Sequence, residues 1–504
     1  MNQSRSLPDK YYGENGIHRV PLWRIALFAL NNTSTNLYMF MMNYVAYYLA
    51  GWVGVASVTA GSFSMFMRVW DGVTDPLVGM LVDKMDGKFG KNRPFMVIGN
   101  IILFVTSWIL FNVTHTIPMP ARFPFFIVVS AFYYIGYTAQ CVVTKSAQTC
   151  LTNDPKQRPL FSIFDGTYNT FLFSIMAIIV ANLGTKYGGF TVNPALFGEL
   201  QLMFGGMSAI FCALAVFAIA PKDRKEFFGT GQTQKVGLKD YIDCITHNRA
   251  IQMLVVAAGT DKLSTQMKGN AVMNIVLFGL IIGDYNLSGT VTGMVSIPST
   301  IVMMCCVGTI ATRLGQKMAM LVGSWGGIIV NALLICLWLF GDSSSFSNGN
   351  GGVNFGFFAI AYIVLQVLNT AMTGLSGNIV IPMTADCADY ETYRTGKYMP
   401  GLMGTLFSFV DKMISSFAPM LVSILFAAIG FTAALPDLSD KAMLDANPDL
   451  LTKTFAVALL CLHGSVIIGN LCNVIAMKFY PLTKEKMEEI QEEIAAIKAK
   501  AMTK

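Results

Sequence analysis

Residues 68–93 read RVWDGVTDPLVGMLVDKMDGKFGKNR, an apolar helical segment that carries charges inside it and ends in a basic loop. Asp71 and Asp75 are four residues apart, so on a helix they share one face about a turn apart, and Arg68 sits a turn earlier on nearly the same face. An ionised carboxylate facing lipid costs several kcal/mol, so the pair must point into a protein interior or a water-filled cavity. That is the profile of a cation site. The competing reading is an ion-pair network that only ties helices together.

The surrounding chain makes the membrane the relevant solvent. Of 504 residues, 54% are hydrophobic and 13% charged, about half the charged share of a soluble domain. The net charge of +6 does not point to nucleic acid, because the Lys and Arg residues collect in a few loops. Ten cysteines show no framework spacing; Cys141, Cys212, Cys305, Cys306, Cys336, Cys461 and Cys472 fall in apolar runs and read as small core residues. The polar first two dozen residues lead into an apolar run too long and too polar for a cleavable signal, so no signal peptide is expected.

At about 20 residues per crossing of about 30 Å of hydrocarbon, the apolar runs give twelve spans. They lie near 24–50, 57–82, 94–112, 123–150, 160–183, 198–220, 250–282, 288–311, 318–340, 354–384, 401–431 and 454–479. The loops at 83–93, 152–159, 221–249, 312–317 and 386–400 hold sixteen Lys and Arg against four in the opposite set. By the positive-inside rule both termini are cytoplasmic, in a cell membrane that we expect to be bacterial. The expected organisation is a cytoplasmic segment 1–23, a six-helix half 24–220, a cytoplasmic loop 221–249, a second half 250–480 and a charged tail 481–504.

A weak repeat supports two halves. Gly79, Asp83, Lys84, Gly90 and Lys91 follow the second span, and Gly308, Arg313, Gly315 and Lys317 follow the eighth, with Thr312 in place of Asp83. Parallel repeats of this kind mark two-halved transporters. The basic positions, with Asp83, Lys91, Arg93 and Arg313 as a gate, latch the cytoplasmic face or simply set orientation. The outer loops are short and polar, and the tail from Lys484 reads as a solvated or surface amphipathic helix.

The motif Arg68-x-x-Asp71-x-x-x-Asp75-Pro76, with Asp83 and the run GKNRPF at 90–95, resembles the glycoside-pentoside-hexuronide:cation symporter family. Three more stretches agree in order and spacing over nearly the whole chain: LTNDPKQR at 151–158, ADCADYETYRTGKYMPG at 385–401, and FSFVDKM with Lys412. The resemblance implies an all-α major facilitator fold of twelve transmembrane helices and cation-driven sugar uptake. It also implies that Asp71 and Asp75 hold the cation with the Thr138 hydroxyl, and that Lys412, with Arg68, couples the cation site to the sugar site. The sequence departs from the family at Asn31 and Asn32, Cys141, Lys145 and near Asp165 and Gly166, so the cation half is kept while the sugar-contacting half is rewritten.

Two ionised carboxylates repel, so the empty site should hold a proton, a sodium ion or the Lys412 ammonium, and no other metal or cofactor is expected. Neutralising the pair would free Lys412 to complete the sugar site. Sugar recognition needs paired hydrogen-bond groups, and the candidates are Asn32, Asn36, Tyr137, Gln140, Cys141, Lys145, Asp165, Asn378 and Ser408. Any single Tyr, Asn or Ser among them is equally suited to helix packing. Lys145 needs a carboxylate, either Asp165 or that of a uronide. Within the spans, Arg68, Lys145, Lys262, Lys268 and Lys412 face Asp71, Asp75, Asp165, Asp261 and Asp411 in number, a balance that favours ion pairs and a neutral glycoside or oligosaccharide over a hexuronide. A lysolipid path in the same fold is a further alternative. A membrane enzyme is a distant one, because His18, His115, His247 and His463 are scattered without metal-ligand spacing. The expected partners are a small sugar and the bilayer, with no nucleic acid and no obligate protein.

Overall fold

The computed structural model describes residues 19–84, 89–152, 157–224, 246–306, 310, 312–395, 412–483, 485–487, 489, 490 and 493. In hydrocarbon every backbone N–H and C=O must be satisfied within its own segment, and the apolar runs accordingly form helices. We number these α1 Leu22–Met42, α2 Ser57–Lys84, α3 Arg93–Asn112, α4 Met119–Leu151, α5 Arg158–Tyr187, α6 Ala195–Ile219 and α7 Arg249–Lys268. They continue as α8 Ala271–Ile282, α9 Asn286–Cys306, α10 Gln316–Phe340, α11 Phe357–Thr395, α12 Lys412–Ala428 and α13 Pro448–Phe479. Among the described residues eight helices are long and apolar enough to cross a membrane, or nine when α7 and α8, bent by 44° at their break, count as one span. The expected number of twelve is not reached by that measure. Described α12 is short, and the charges of α2 and the polar residues of α1 dilute their apolar character.

The chain folds as two compact units, one of Met1–Ala56 and Phe66–Gln232, the other of Ser57–Met65 and Thr233–Lys504. In the first, α1 packs on α6 and α5, and α3 on α4 and α6. Gly99 and Gly136 let α3 and α4 touch: a Cβ on Gly136 would stand 3.0 Å from the Gly99 carbonyl oxygen. A polar knot joins α1, α3 and α6, where Asn100 Nδ2 donates to Ser34 Oγ (3.1 Å) and Ser208 Oγ (2.9 Å). Such small and amide residues hold helices together where lipid supplies no hydrophobic drive. The core below runs through Phe28, Val78, Met96, Val143, Phe161 and Ala215. Large apolar side chains such as Ile210 and Phe217 point outward, as a lipid-facing surface requires.

In the second unit α7 packs on α13 and α11, and α10 on α11 and α13, around Leu254, Met320, Leu375, Ile379 and Met477. The first turns of α2 belong to this unit, where Ser57 Oγ donates to the Phe431 carbonyl (2.8 Å). A buried chain of polar groups crosses it: Gln366 Nε2 donates to Tyr362 Oη (3.0 Å), Asn369 Nδ2 to Gln366 Oε1 (3.4 Å) and Asn331 Nδ2 to Asn369 Oδ1 (2.9 Å). It ends on His463 Nδ1, 2.8 Å from Asn331 Oδ1.

The two basic loops of the repeat do the same job in their own units. Gly90 and Gly315 both take positive φ, +89° and +85°. In the first unit the backbone N–H groups of Lys91, Asn92 and Arg93 donate to the Asp223 carboxylate just after α6, at 2.9–3.1 Å, and Arg93 Nε lies 3.5 Å from it. In the second, Lys317 Nζ donates to the Tyr480 carbonyl just after α13 (2.7 Å). The reading of the cysteines as core needs correction: Cys212 and Cys461 are buried, whereas Cys305 and Cys336 are exposed on α9 and α10. A thiol is apolar enough to face lipid as readily as core.

Candidate functional site

Along α2 the positions Asp71, Thr74, Asp75 and Val78 recur at helical spacing, and Val78 enters the first unit's core. That periodicity turns the acidic face inward. Asp71 is fully buried, and its Oδ1 accepts a hydrogen bond from Thr138 Oγ1 of α4 at 2.8 Å. Thr74 Oγ1 donates to the Asp71 carbonyl (3.2 Å) and lies 3.4 Å from Thr138 Oγ1. Asp75 is half-buried one turn further on. Two helices thus contribute a carboxylate and two hydroxyls at one point, with a second carboxylate a turn away. The O–H of Thr138 is spent on the carboxylate, so its lone pairs remain for a cation, and hard cations take oxygen ligands of this kind.

A second polar cluster joins α1 to α5. Asp165 Oδ1 accepts from Asn32 Nδ2 (2.8 Å) and Asn169 Nδ2 (3.2 Å), and Asn36 Nδ2 donates to Asn169 Oδ1 (2.9 Å). All four residues are half-buried. A carboxylate among three amides offers donors and acceptors together, as recognition of sugar hydroxyls demands. Asn31 beside it bonds Thr144 Oγ1 (2.7 Å) and joins α1 to α4.

The remaining sequence-derived positions are distributed as follows. Tyr137 is half-buried and meets Tyr134 edge to face at 6.2 Å, and Cys141 is half-buried on the same helix. Gln140 is a correction: it is fully buried, and its amide donates to the Met96 carbonyl, so it fastens α4 to α3 instead of facing an opening. Asn378 is exposed on α11 of the second unit, where its amide donates to the Gly374 carbonyl (2.7 Å). Lys412 begins α12, half-buried, also in the second unit. Lys91 and Arg93 are engaged by Asp223, and Arg313 is exposed. Ser408 and Asp411 lie outside the described residues, as do the side chains of Arg68, Asp83 and Lys145. The balance of charges does not become ion pairs throughout. In α7, Asp261 Oδ1 accepts from Ser376 (3.3 Å) and Asn473 (3.5 Å), and Lys268 makes no ion pair among the described residues. Seven residues of helix separate the two by about 10 Å, too far to pair.

Three contributors escaped the sequence reading. Thr74 and Asn169 carried a signal, each standing three or four residues from an acidic partner on the same helix face. Asp223, a single loop carboxylate, carried none.

Residues 32–484 match the family described as MFS/sugar transport protein. The chain belongs to that family. Similar proteins include the glucuronide carrier protein homolog of Escherichia coli strain K12, 22% identical over 492 residues and covering 94% of this chain and 95% of that protein. The isoprimeverose transporter of Lactiplantibacillus pentosus is 22% identical, covering 81% of this chain and 80% of its own. Among solved structures, the nucleoside transporter NupG superposes with a TM-score of 0.58 at 12% identity, covering 92% of this chain and 99% of that one. That likeness shows the fold, and with the family match it makes the chain a multi-pass membrane protein of major facilitator fold in a transporter family.

Proposed function

We propose that the protein is a sodium-coupled symporter that brings a small sugar across a bacterial cell membrane by alternating access, and that it catalyses no covalent chemistry. The observation that carries this reading is the contact of Thr138 Oγ1 with the buried Asp71 carboxylate, with Thr74 Oγ1 alongside. A proton would need one carboxylate. The added hydroxyls supply the oxygens that a desolvated alkali cation requires. Bound sodium neutralises the Asp71 and Asp75 pair, which lowers the cost of holding two carboxylates in a membrane interior. The same neutralisation favours the closed, sugar-loaded state, so the two ligands help each other. The amide cluster of Asn32, Asn36, Asp165 and Asn169 is assigned to sugar hydroxyls. The names of two relatives, a glucuronide carrier homolog and an isoprimeverose transporter, agree with a sugar as cargo.

The test is uptake into vesicles of a panel of labelled glycosides, oligosaccharides and glucuronides, with sodium and proton gradients imposed separately, for wild type and Asp75→Asn. Sodium-driven accumulation that the variant loses is the expected result. Equilibration indifferent to either gradient would return Asp71 and Asp75 to a purely structural role.

A further inference from the structure

The second unit contains a cavity of about 910 Å³, near the upper end of the range for small-molecule sites. Its lining includes Asp261, Lys262 and Lys268 of α7, Asn274 of α8, and Gln366 and Asn378 of α11. The chain breaks beside it. α7 ends at Lys268, bends by 44°, and resumes at Ala271. An interrupted helix within an apolar segment is tolerated where it borders a cavity, and such breaks mark ligand sites in transporters.

Two groups at this break have no side-chain partner among the described residues. Lys268 and Asn274 are both half-buried, both line the cavity, and neither makes a side-chain hydrogen bond or ion pair among the described residues. Asp261, Gln366 and Asn378 are at least partly engaged. Asp261 is held by Ser376 and Asn473, Gln366 donates to Tyr362, and Asn378 donates to the Gly374 carbonyl while leaving its Oδ1 open. The C-terminus of α7 attracts a cation at Lys268, yet that weak field offsets little of the cost of dehydrating an ammonium inside a membrane protein. A polar residue there would cap the helix more cheaply. The charge therefore has a use in the loaded state.

Of the charged groups in the lining, Asp261 and Lys262 stand next to each other and interact, while Lys268 brings one positive charge with no carboxylate partner among the described residues. This complements a monoanion and not a phosphate dianion. We propose that Lys268 anchors the carboxylate of an acidic sugar, with Asn274 and Asn378 Oδ1 meeting its hydroxyls, so that the cargo is a uronide. The assignment rests on the sugar-symport reading above and reverses the preference for a neutral glycoside that the count of charges suggested.

The experiment uses full-length protein in proteoliposomes under a sodium gradient. Matched pairs that differ only at C6 are compared, glucoside with glucuronide and galactoside with galacturonide, and each uronide with its neutral uronamide. In wild type one uronide should have a KM at least tenfold below those of its alcohol and amide counterparts. Lys268→Gln should raise that KM at least tenfold and erase the preference, while Lys268→Arg retains it. Thermal unfolding and sodium dependence of each variant show whether it is folded. The wild-type competition series needs no variant at all. Accumulation of neutral members in preference to uronides, or a preference that survives in folded Lys268→Gln, overturns the inference and leaves the symporter intact. Failure to accumulate any member under either gradient overturns both.

Discussion

Replacing Thr138 by Val keeps the shape of the side chain and deletes its oxygen. In the native protein Thr138 Oγ1 lies 2.8 Å from Asp71 Oδ1, and both residues are fully buried. No water replaces the lost donor, because the valine methyl fills its place. That hydrogen bond is present without sodium, so sodium affinity falls only through loss of the hydroxyl as a proposed ligand, an oxygen-to-charge contact on the scale of a charged hydrogen bond, about 1.5–3 kcal/mol. At about 1.4 kcal/mol per factor of ten, the concentration of sodium that half-saturates uptake should rise about 10- to 150-fold. The assay is initial uptake against external sodium in vesicles, with the total sugar held constant. Thr138→Ser, which keeps the oxygen, should stay within a few-fold of wild type. Sodium dependence in Thr138→Val that matches wild type within about twofold would refute the assignment of the hydroxyl to the cation site.

Other substitutions test the framework that carries the site. Gly90→Ala imposes a side chain on a backbone at φ +89° and drives its Cβ into the Asp223 carboxylate, so the loop should release and the unfolding temperature fall; an unchanged melting curve in detergent would show that this latch contributes nothing. Asn331→Leu strips the partner from buried His463 Nδ1 and leaves Asn369 Oδ1 only its longer hydrogen bond from Thr373 Oγ1 (3.4 Å), at about 1–3 kcal/mol for the orphaned imidazole nitrogen, read as a drop in Tm. Lys222, just after α6 and 1% exposed, has its ammonium pushed down to about 8 by burial, with Arg24 adding to the effect. Its folded value lies below the ordinary 10.5, so charged Lys222 weakens the fold below about pH 8, and that penalty fades as pH rises from about 8 to 10.5. Lys222→Met should accordingly raise Tm at pH 7 and give a smaller gain at pH 10.

How far the site could be read in advance varied with the distance over which its signal acts. The acidic face of α2 was legible because helical periodicity and the price of charge in lipid are both local. The Thr138 assignment came through family resemblance; no spacing within α4 singles that residue out from its neighbours Tyr137 and Gln140. Gln140 shows the opposite failure. Its amide suits a sugar as well as a carbonyl, and only the approach of α3 at Gly99 and Gly136 decides that it serves the Met96 carbonyl. Lys145 was offered Asp165 or a uronide as its partner on charge alone; its side chain lies outside the described residues, and what the structure adds is that Asp165 accepts from Asn32 and Asn169.

The sequence by itself determined that this chain lives in a bilayer as helices, that it repeats in two parts, and that carboxylates stand inside one segment. Composition, span length and the absence of water in hydrocarbon suffice for those conclusions. Only the tertiary structure decided which polar groups satisfy one another and which are left facing a cavity. That is why Lys268, counted in sequence as one member of a balanced set of charges, stands beside the break in α7 with no ion pair among the described residues. Charges can be counted along a chain, but whether two of them meet depends on distances of a few ångströms that helix packing alone fixes.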